Sequence, residues 1–350
     1  MTVSMRRSTD SAYAAIDRLA RQRSTCEDFQ WAAVSDLRRI VGFDSMCWNL
    51  IDPLTWVPSW TVADNPVIGR QQRRVHEAWA SSGEFAELTD RGFAFTRVDA
   101  EGAPRRESYW WEIAEPGGLR DGLSVALAAD GVCWGMLHLY RDGGRPFTAA
   151  DVEALMKIAS TLGRRLRRST IDPAGAPSSD DEAGTVILDR ALGLVASTPA
   201  ADRWLSRLPQ AVPGGDALPG FIYAVAARAT PGGSSLPSPR LRIRADDGTW
   251  LVLDIASLSE SAPLGVGAMV MTIEPARRTD LRPLLMRAHQ LSDREREVAA
   301  LVTNGLTNLE LADALFITRH TVSDHLKAIY SKLGVNSRSE LSAVLAGNRG

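Results

Sequence analysis

The sequence predicts an α+β multidomain chain: two segments that mix strands with helices, then an all-α segment of four short helices. Three observations carry this reading. At 350 residues the chain is longer than one ordinary core requires. Polar stretches rich in Pro, Gly and Ser interrupt it at Ser169–Gly184 and Ala229–Pro239. From Leu291 onward strand signals give way to closely spaced helix caps. The expected division is residues 1–168, a linker over 169–183, a second domain over 184–276, a connecting helix over 277–290, and a C-terminal domain over 291–350.

In the first segment, "TDSAYAAIDRLARQRS" and "CEDFQWAAVSDLRRIVG" have helical spacing, the second stopping at Gly42. Strand-like "DSMCWNLID" and "TWVPSWTVAD" follow, parted at Asp52-Pro53. "GRQQRRVHEAWASS" reads as a helix, and "DGLSVALAADGVCWGMLHLYRDGG" as a hairpin turning at Ala129-Asp130-Gly131. A long helix capped by Thr148 closes the segment. The closing order of hairpin, "GMLHLYRDGGRPFTAADVEALMKIAS" and helix resembles the C-terminal half of a GAF sensor domain, over about Arg23–Arg168. In the second segment, "AGTVILDRALGLVASTPAADRWLSRLP" gives strand, turn at Leu188-Asp189, strand and short helix. "RLRIRADDGTWLVLDIASLSES", with an Asp247-Gly248 hairpin turn, and "GVGAMVMTIEPA" add further strands. The order resembles a PAS domain over about Gly184–Ala276.

The C-terminal segment carries the chemistry. "SDRE" (Ser292–Glu295), "TNLE" (Thr307–Glu310) and "SRSE" (Ser337–Glu340) each fit the capping box, in which a hydroxyl and a carboxylate satisfy two orphan backbone N–H groups reciprocally. Thr318 supplies a fourth N-cap, and Gly305 and Gly334 sit where helices end in left-handed geometry. The second and third helices are joined by a few residues around Phe316-Ile317, which is helix-turn-helix spacing. On a wheel of about 100° per residue, Val322, Leu326, Ile329 and Leu333 share one stripe with His325 at its edge. His320, Asp324, Lys327 and Ser331 lie opposite, with Ser323 to one side.

These residues closely resemble the LuxR-type (GerE- or NarL-type) DNA-binding domain from Leu291 to about Gly347. The matching positions include Arg294-Glu295 with Glu297, Gly305-Leu306, Glu310 with Ala312, Thr321-Val322 with His325, Lys332-Leu333 and Ser337-Arg338. The resemblance implies a transcriptional regulator that meets double-stranded DNA with a recognition helix over about 318–333, and a homodimer on a two-fold site is expected because one short helix reads too few bases to be specific alone. It places Ser323, Asp324 and Lys327, with His320 beside them, toward base edges. It places Thr318, Thr321, Arg319, Asn308, Lys332 and Arg338 toward phosphates. Leu309 stands where many relatives carry lysine. Between Thr318 and Arg338 four Lys and Arg residues face one acid, Asp324, so a locally basic surface exists although the whole chain carries a formal charge of −2. Asp324 has two readings: it accepts from a cytosine amino group, or it pairs within the helix with Lys327 and His320.

Other functions are weighed against this one. Eight of the ten tryptophans fall in the GAF-like segment, so Trp48, Trp110, Trp111 and Trp134 are candidate linings of a small-molecule pocket, although aromatics at such positions more often fill a core. The basic run Arg164–Arg168 reads as a solvated helix face. The PAS-like segment contains neither Cys nor His, which excludes a flavin–cysteine adduct or a histidine-ligated haem there. Trp134, not histidine, follows Cys133, unlike the sequence common beside a bilin-bearing cysteine. No phosphate-binding G-x-x-x-x-G-K-[ST] loop, nucleophile motif or metal-ligand spacing occurs, so the expectation is a non-enzyme without metal or cofactor. The unpaired Cys26, Cys47 and Cys133, the N-terminus without an apolar signal region and the absence of a spanning apolar run predict a cytoplasmic protein with no membrane partner. RNA polymerase and an unidentified small-molecule ligand are partners this reading admits. The alternative is a cofactor-binding sensor or interaction module that does not use its C-terminal domain on DNA.

Overall fold

The computed structural model describes residues 2–71, 73–75, 83–98, 101–104, 110–171, 182–208, 218–229, 240–258 and 267–346. They fall into two compact units, Met1–Ser169 with Ala174–Pro275, and Thr170–Pro173 with Ala276–Gly350. The α+β reading holds: the first unit carries two antiparallel sheets with helices, the second is helical. Among the described residues no helix is long and apolar enough to cross a membrane.

The first sheet is built from β1 (Ser45–Asp52), β2 (Val57–Ala63), β3 (Phe93–Phe95), β4 (Asp121–Ala129) and β5 (Val132–Arg141), in the order β2-β1-β5-β4-β3. Its helices are α1 (Thr2–Arg21), α2 (Cys26–Ile40), α3 (Pro66–Arg70), α4 (Gly83–Arg91) and α5 (Ala149–Ile171), with a π-helical turn at Trp110–Ala114. The β4–β5 hairpin turns on Asp130-Gly131, both at positive φ (53° and 74°), the backbone a two-residue hairpin loop demands. Thr25 caps α2 by accepting from Asp28 N at 3.0 Å, and the helix buries Phe29, Ala33, Val34 and Leu37. Thr148 caps α5 as expected, and the Asp151 carboxylate returns to Thr148 N at 2.8 Å. A Cβ on Gly163 would meet the Leu127 carbonyl oxygen at 2.7 Å, so glycine lets α5 lie this close to β4. Of the helix expected over Gly69–Ser82, residues 72 and 76–82 lie outside the described residues.

The second sheet repeats that strand order as β7-β6-β10-β9-β8. It comprises β6 (Gly184–Leu188), β7 (Leu194–Ser197), β8 (Leu241–Arg244), β9 (Trp250–Ser257) and β10 (Met269–Pro275), with α6 (Pro199–Arg207) and α7 (Gly220–Ala229). The hairpin turn expected at Asp247-Gly248 is present: beyond the Arg244↔Trp250 pair Ala245 N donates to Thr249 O at 2.8 Å and Gly248 N to Ala245 O at 2.9 Å, with Gly248 at φ 86° and Asp247 Oδ1 accepting from Thr249 N at 2.9 Å. Within this unit Val57 of β2 joins the second sheet's core, and Asp52 pairs with Arg242 of β8 at 3.1 Å. The two side chains are 1% and 11% exposed, so this ion pair is buried.

The second unit contains α8 (Arg278–Ala288), α9 (Asp293–Thr303), α10 (Asn308–Leu315), α11 (Arg319–Leu333) and α12 (Arg338–Ala346). Its core joins Met286, Val298, Val302, Leu311, Val322, Leu326, Ile329, Leu333, Leu341 and Leu345. The apolar stripe expected of α11 is buried throughout.

Candidate nucleic-acid interface

Two of the three expected capping boxes close as written. Ser292 Oγ accepts from Glu295 N at 3.3 Å while Ser292 N donates to Glu295 Oε2 at 2.7 Å. Thr307 and Glu310 repeat the pattern at 3.3 and 2.6 Å. In the third, Ser337 Oγ accepts from Glu340 N at 3.1 Å, but the Glu340 carboxylate reaches past the cap to Asn336 N at 2.7 Å. The helix starts are thus fixed by their own side chains, and α9 to α12 are held in register by a few longer ties.

Those ties use the residues by which the domain is recognisable in sequence. Arg294 donates to the last carbonyl of α10, Leu315 O, at 2.5 Å and pairs with Glu297 at 2.7 Å. Lys332 Nζ binds Glu295 Oε2 at 2.6 Å and Gln290 O at 3.0 Å, fastening the end of α11 to the start of α9. Burial opposes charge on Glu295, but hydrogen bonds from Lys332 and Ser292 N overcome it, and the carboxyl is held below its usual range. Arg338 donates to Asn308 Oδ1 at 3.1 Å and to the Leu306 carbonyl. Asn308, Lys332 and Arg338, expected near phosphates, therefore also make contacts inside the domain.

The turn between α10 and α11 is Phe316–Ile317–Thr318. Phe316 takes the left-handed conformation (φ 55°) that glycine or asparagine usually occupies, and the residue is 96% exposed. Thr318 then caps α11, accepting from Thr321 N at 3.1 Å, with the two hydroxyls 2.9 Å apart. The face opposite the buried stripe is open. His320, Asp324 and Lys327 have 84%, 55% and 75% of their side chains exposed. Asp324 lies 3.5 Å from both His320 Nε2 and Lys327 Nζ, and Ser323 Oγ donates to Arg319 O at 3.0 Å. The exposed Arg319 guanidinium makes no hydrogen bond or ion pair among the described residues. Left-handed Gly334 ends the helix, and His325 is half-buried at the stripe's edge. Phe316 was not singled out from the sequence; the signal was a large apolar residue where a helix C-terminus calls for glycine.

The tryptophans do not share one lining. Trp48 is paired in register with Leu137 and meets the Phe29 ring of α2 edge-on at 5.8 Å. Trp110 clusters with Met136, the neighbour of Leu137, and so lies on the opposite sheet face, with Trp111 packed against that cluster. Trp134 is also fully buried. A polar group invisible in the sequence occupies the first domain: Ser124 Oγ sits 2.7 Å from His138 Nδ1 and donates to Glu84, which is fully buried. Glu84 Oε2 and the buried hydroxyl of Thr96 have no hydrogen-bond partner among the described residues. Burial pushes the Cys47 and Cys133 thiols up to about 12, which keeps both protonated at neutral pH.

Comparison with known proteins bears on the C-terminal unit. The probable transcriptional regulatory protein SgaR of Hyphomicrobium methylovorum is 51% identical over 49 residues, which are 14% of this chain and 23% of that protein. The DNA-binding transcriptional activator DevR/DosR of Mycobacterium tuberculosis is 38% identical over 56 residues, 16% of this chain and 25% of that protein. The chain thus spans about a quarter of the length of these relatives. Among solved structures, the GAF domain of a phosphoenolpyruvate-protein phosphotransferase from Coxiella burnetii matches 46% of this chain and 94% of that one, at 13% identity and a TM-score of 0.33, too loose a likeness to bear on function. Residues 289–345 match the family described as bacterial regulatory proteins, luxR family. The C-terminal unit of this chain therefore contains a luxR-family helix-turn-helix domain.

Proposed function

We propose that this chain is a sequence-specific DNA-binding transcriptional regulator that acts as a homodimer and is modulated by its N-terminal unit. The observation that carries the proposal is the open face of α11. A helix buried along Val322, Leu326, Ile329 and Leu333 presents Arg319, His320, Ser323, Asp324 and Lys327 to solvent, with contacts that are absent or internal to the helix. Side chains of this kind read base edges when the helix enters the major groove. Thr318, Thr321 and Arg319, around the helix N-terminus, are set to meet phosphates, with Asn308, Lys332 and Arg338 supporting from their internal contacts. Exposed Phe316 stands beside Thr318 and is suited to an apolar contact with sugar or a thymine methyl group. Modulation by a ligand is favoured by the unpartnered Glu84 Oε2 and Thr96 hydroxyl, because buried polar atoms left unpaired are costly unless a partner arrives.

The test is selection of genomic DNA fragments with the full chain, followed by mobility shifts on the recovered site at several salt concentrations. The expected result is a retained common site, an apparent affinity that falls steeply with salt, and two chains per site. Lys327→Ala should weaken binding, with its largest effect at one base position. Retention of random fragments with equal affinity would refute sequence-specific reading.

A further inference from the structure

We propose that the first domain holds an anion site between α1 and α5, selective for a phosphate or diphosphate group. A cleft of about 190 Å³ lies there, lined by Asp17, Ala20 and Arg21 from α1 and by Thr161, Arg164, Arg165 and Arg168 from α5. Four arginines face a single aspartate. Several other arginines of the first unit are matched to acids: Arg38 to Asp64, Arg145 to Asp151, Arg242 to Asp52. In the cleft, among the described residues, no ion pair joins any of the four guanidinium groups to a carboxylate, and the Arg21 guanidinium makes no hydrogen bond.

A plain structural role explains part of this arrangement. Arg168 donates to Ala20 O at 3.1 Å, Arg165 Nη2 donates to Ser24 O at 2.6 Å, and Arg164 bonds Ser160 and Thr161 on its own helix. Carbonyl capping accounts for two of the four residues and leaves their charges unbalanced. Arg165 supplies the second observation: it is 2% exposed, and although its Nη2 also bonds Ser24 Oγ and Thr25 O and its guanidinium lies 5.1 Å from the Phe29 ring centroid, its buried Nε has no hydrogen-bond partner among the described residues. Each guanidinium carries five donors in a fixed fork that matches phosphate oxygens, so donors beyond those carbonyl and hydroxyl contacts remain among the four cleft arginines. Its volume lies below the roughly 300–1,000 Å³ of sites for drug-sized ligands, which suits one or two phosphate groups better than an entire cofactor. A bound anion would offset the repulsion among the arginines, and Asp17 limits how much negative charge is accepted.

The experiment uses the full chain, titrated calorimetrically with inorganic phosphate, pyrophosphate and a nucleoside diphosphate at matched ionic strength. Saturable binding is expected, tightest for the diphosphates. Binding of the nucleotide no tighter than pyrophosphate would mean that the cleft reads the phosphates alone; tighter binding would mean that it reads a phosphorylated metabolite. Because Arg164 and Arg168 are exposed, R164Q/R168Q should fold, and it should bind roughly tenfold or more weakly. Asp17→Asn should bind more tightly than the parent. Lys327→Ala in α11 should leave anion binding unchanged, which separates the cleft from the DNA-facing surface. No saturable binding, or binding unaltered in R164Q/R168Q, would overturn the proposal. So would dissociation of a dimer by R164Q/R168Q without phosphate binding, since the arginines would then serve a second copy of the chain.

Discussion

The two units place their charges differently. The first buries an ion pair between strands of two sheets, Asp52 with Arg242, and encloses Glu84 with Ser124 and His138. The second keeps its ion pairs at the rim of a small apolar core, from Lys332–Glu295, half out of water, to Asp324–Lys327, fully at the surface. A buried pair is costly to form and costlier to break, whereas an exposed pair contributes little either way. The first unit thus has charges that constrain how its sheets meet. The second has charges free to be exchanged for those of a ligand as large as DNA.

The comparison predicts a graded series of effects. Arg242→Met should destabilise the first unit most, by about 3–5 kcal/mol in urea unfolding, because it strands the Asp52 carboxylate, whose pKa burial already raises against the pull of Arg242. The double variant D52L/R242M should recover most of that loss. Equal instability of the single and double variants would show that packing, not charge, holds the two sheets together.

Next comes Lys332→Met, expected to cost the second unit about 1–3 kcal/mol. It carries a pH signature. Because the folded pKa of Glu295 is depressed, the stability from this contact is complete above the ordinary glutamate value of about 4.3 and fades as pH falls through the folded value. The variant should accordingly lose less stability than the parent on acidification, read by helical circular dichroism across that range. Phe316→Gly should stabilise by about 1 kcal/mol, since a left-handed conformation costs a side-chain-bearing residue roughly that much. If Phe316 touches DNA, the same change weakens binding.

Smallest for the fold is Asp324→Asn, at or below about 0.5 kcal/mol. On DNA it discriminates. If Asp324 accepts from cytosine, one base position loses about 1–3 kcal/mol of preference. If it serves only Lys327 and His320, all sequences bind alike and slightly more tightly.

Much of this was legible in the sequence, and the pattern of what was not is instructive. The stripe of α11, the caps at Ser292, Thr307 and Thr318, and the Asp130-Gly131 turn are local signals, decided within a few residues, and each stands where expected. The Glu340 carboxylate missed its expected partner by one residue, because where it reaches depends on how the preceding chain enters the helix. Asp52 and Arg242 are 190 positions apart, and Glu84 is 40 from Ser124. No periodicity links such residues; the strand order of each sheet does. Similarly, a list of tryptophans cannot say which sheet face each occupies until the register is known. The motif residues Arg294, Glu295 and Glu310 identified the domain by its internal fastenings, whereas the proposed reading of a DNA site would rest on exposed positions that no cap or stripe constrains.

The caps at Thr318 and Gly334 set the length of α11 at 15 residues, about 22 Å at 1.5 Å per residue. The major groove is roughly 12 Å wide, so about two turns of this helix fit within it. Such a segment spans about three base pairs at 3.4 Å each. A word of three letters in a four-letter alphabet recurs about once in every 64 positions, so one chain reading in the proposed way would address far too many places in a genome. Two such words at a fixed separation recur about once in every 4,000. In terms of information, if α11 reads DNA as proposed, a helix this short would make pairing of chains a requirement of addressing and not an accessory to it.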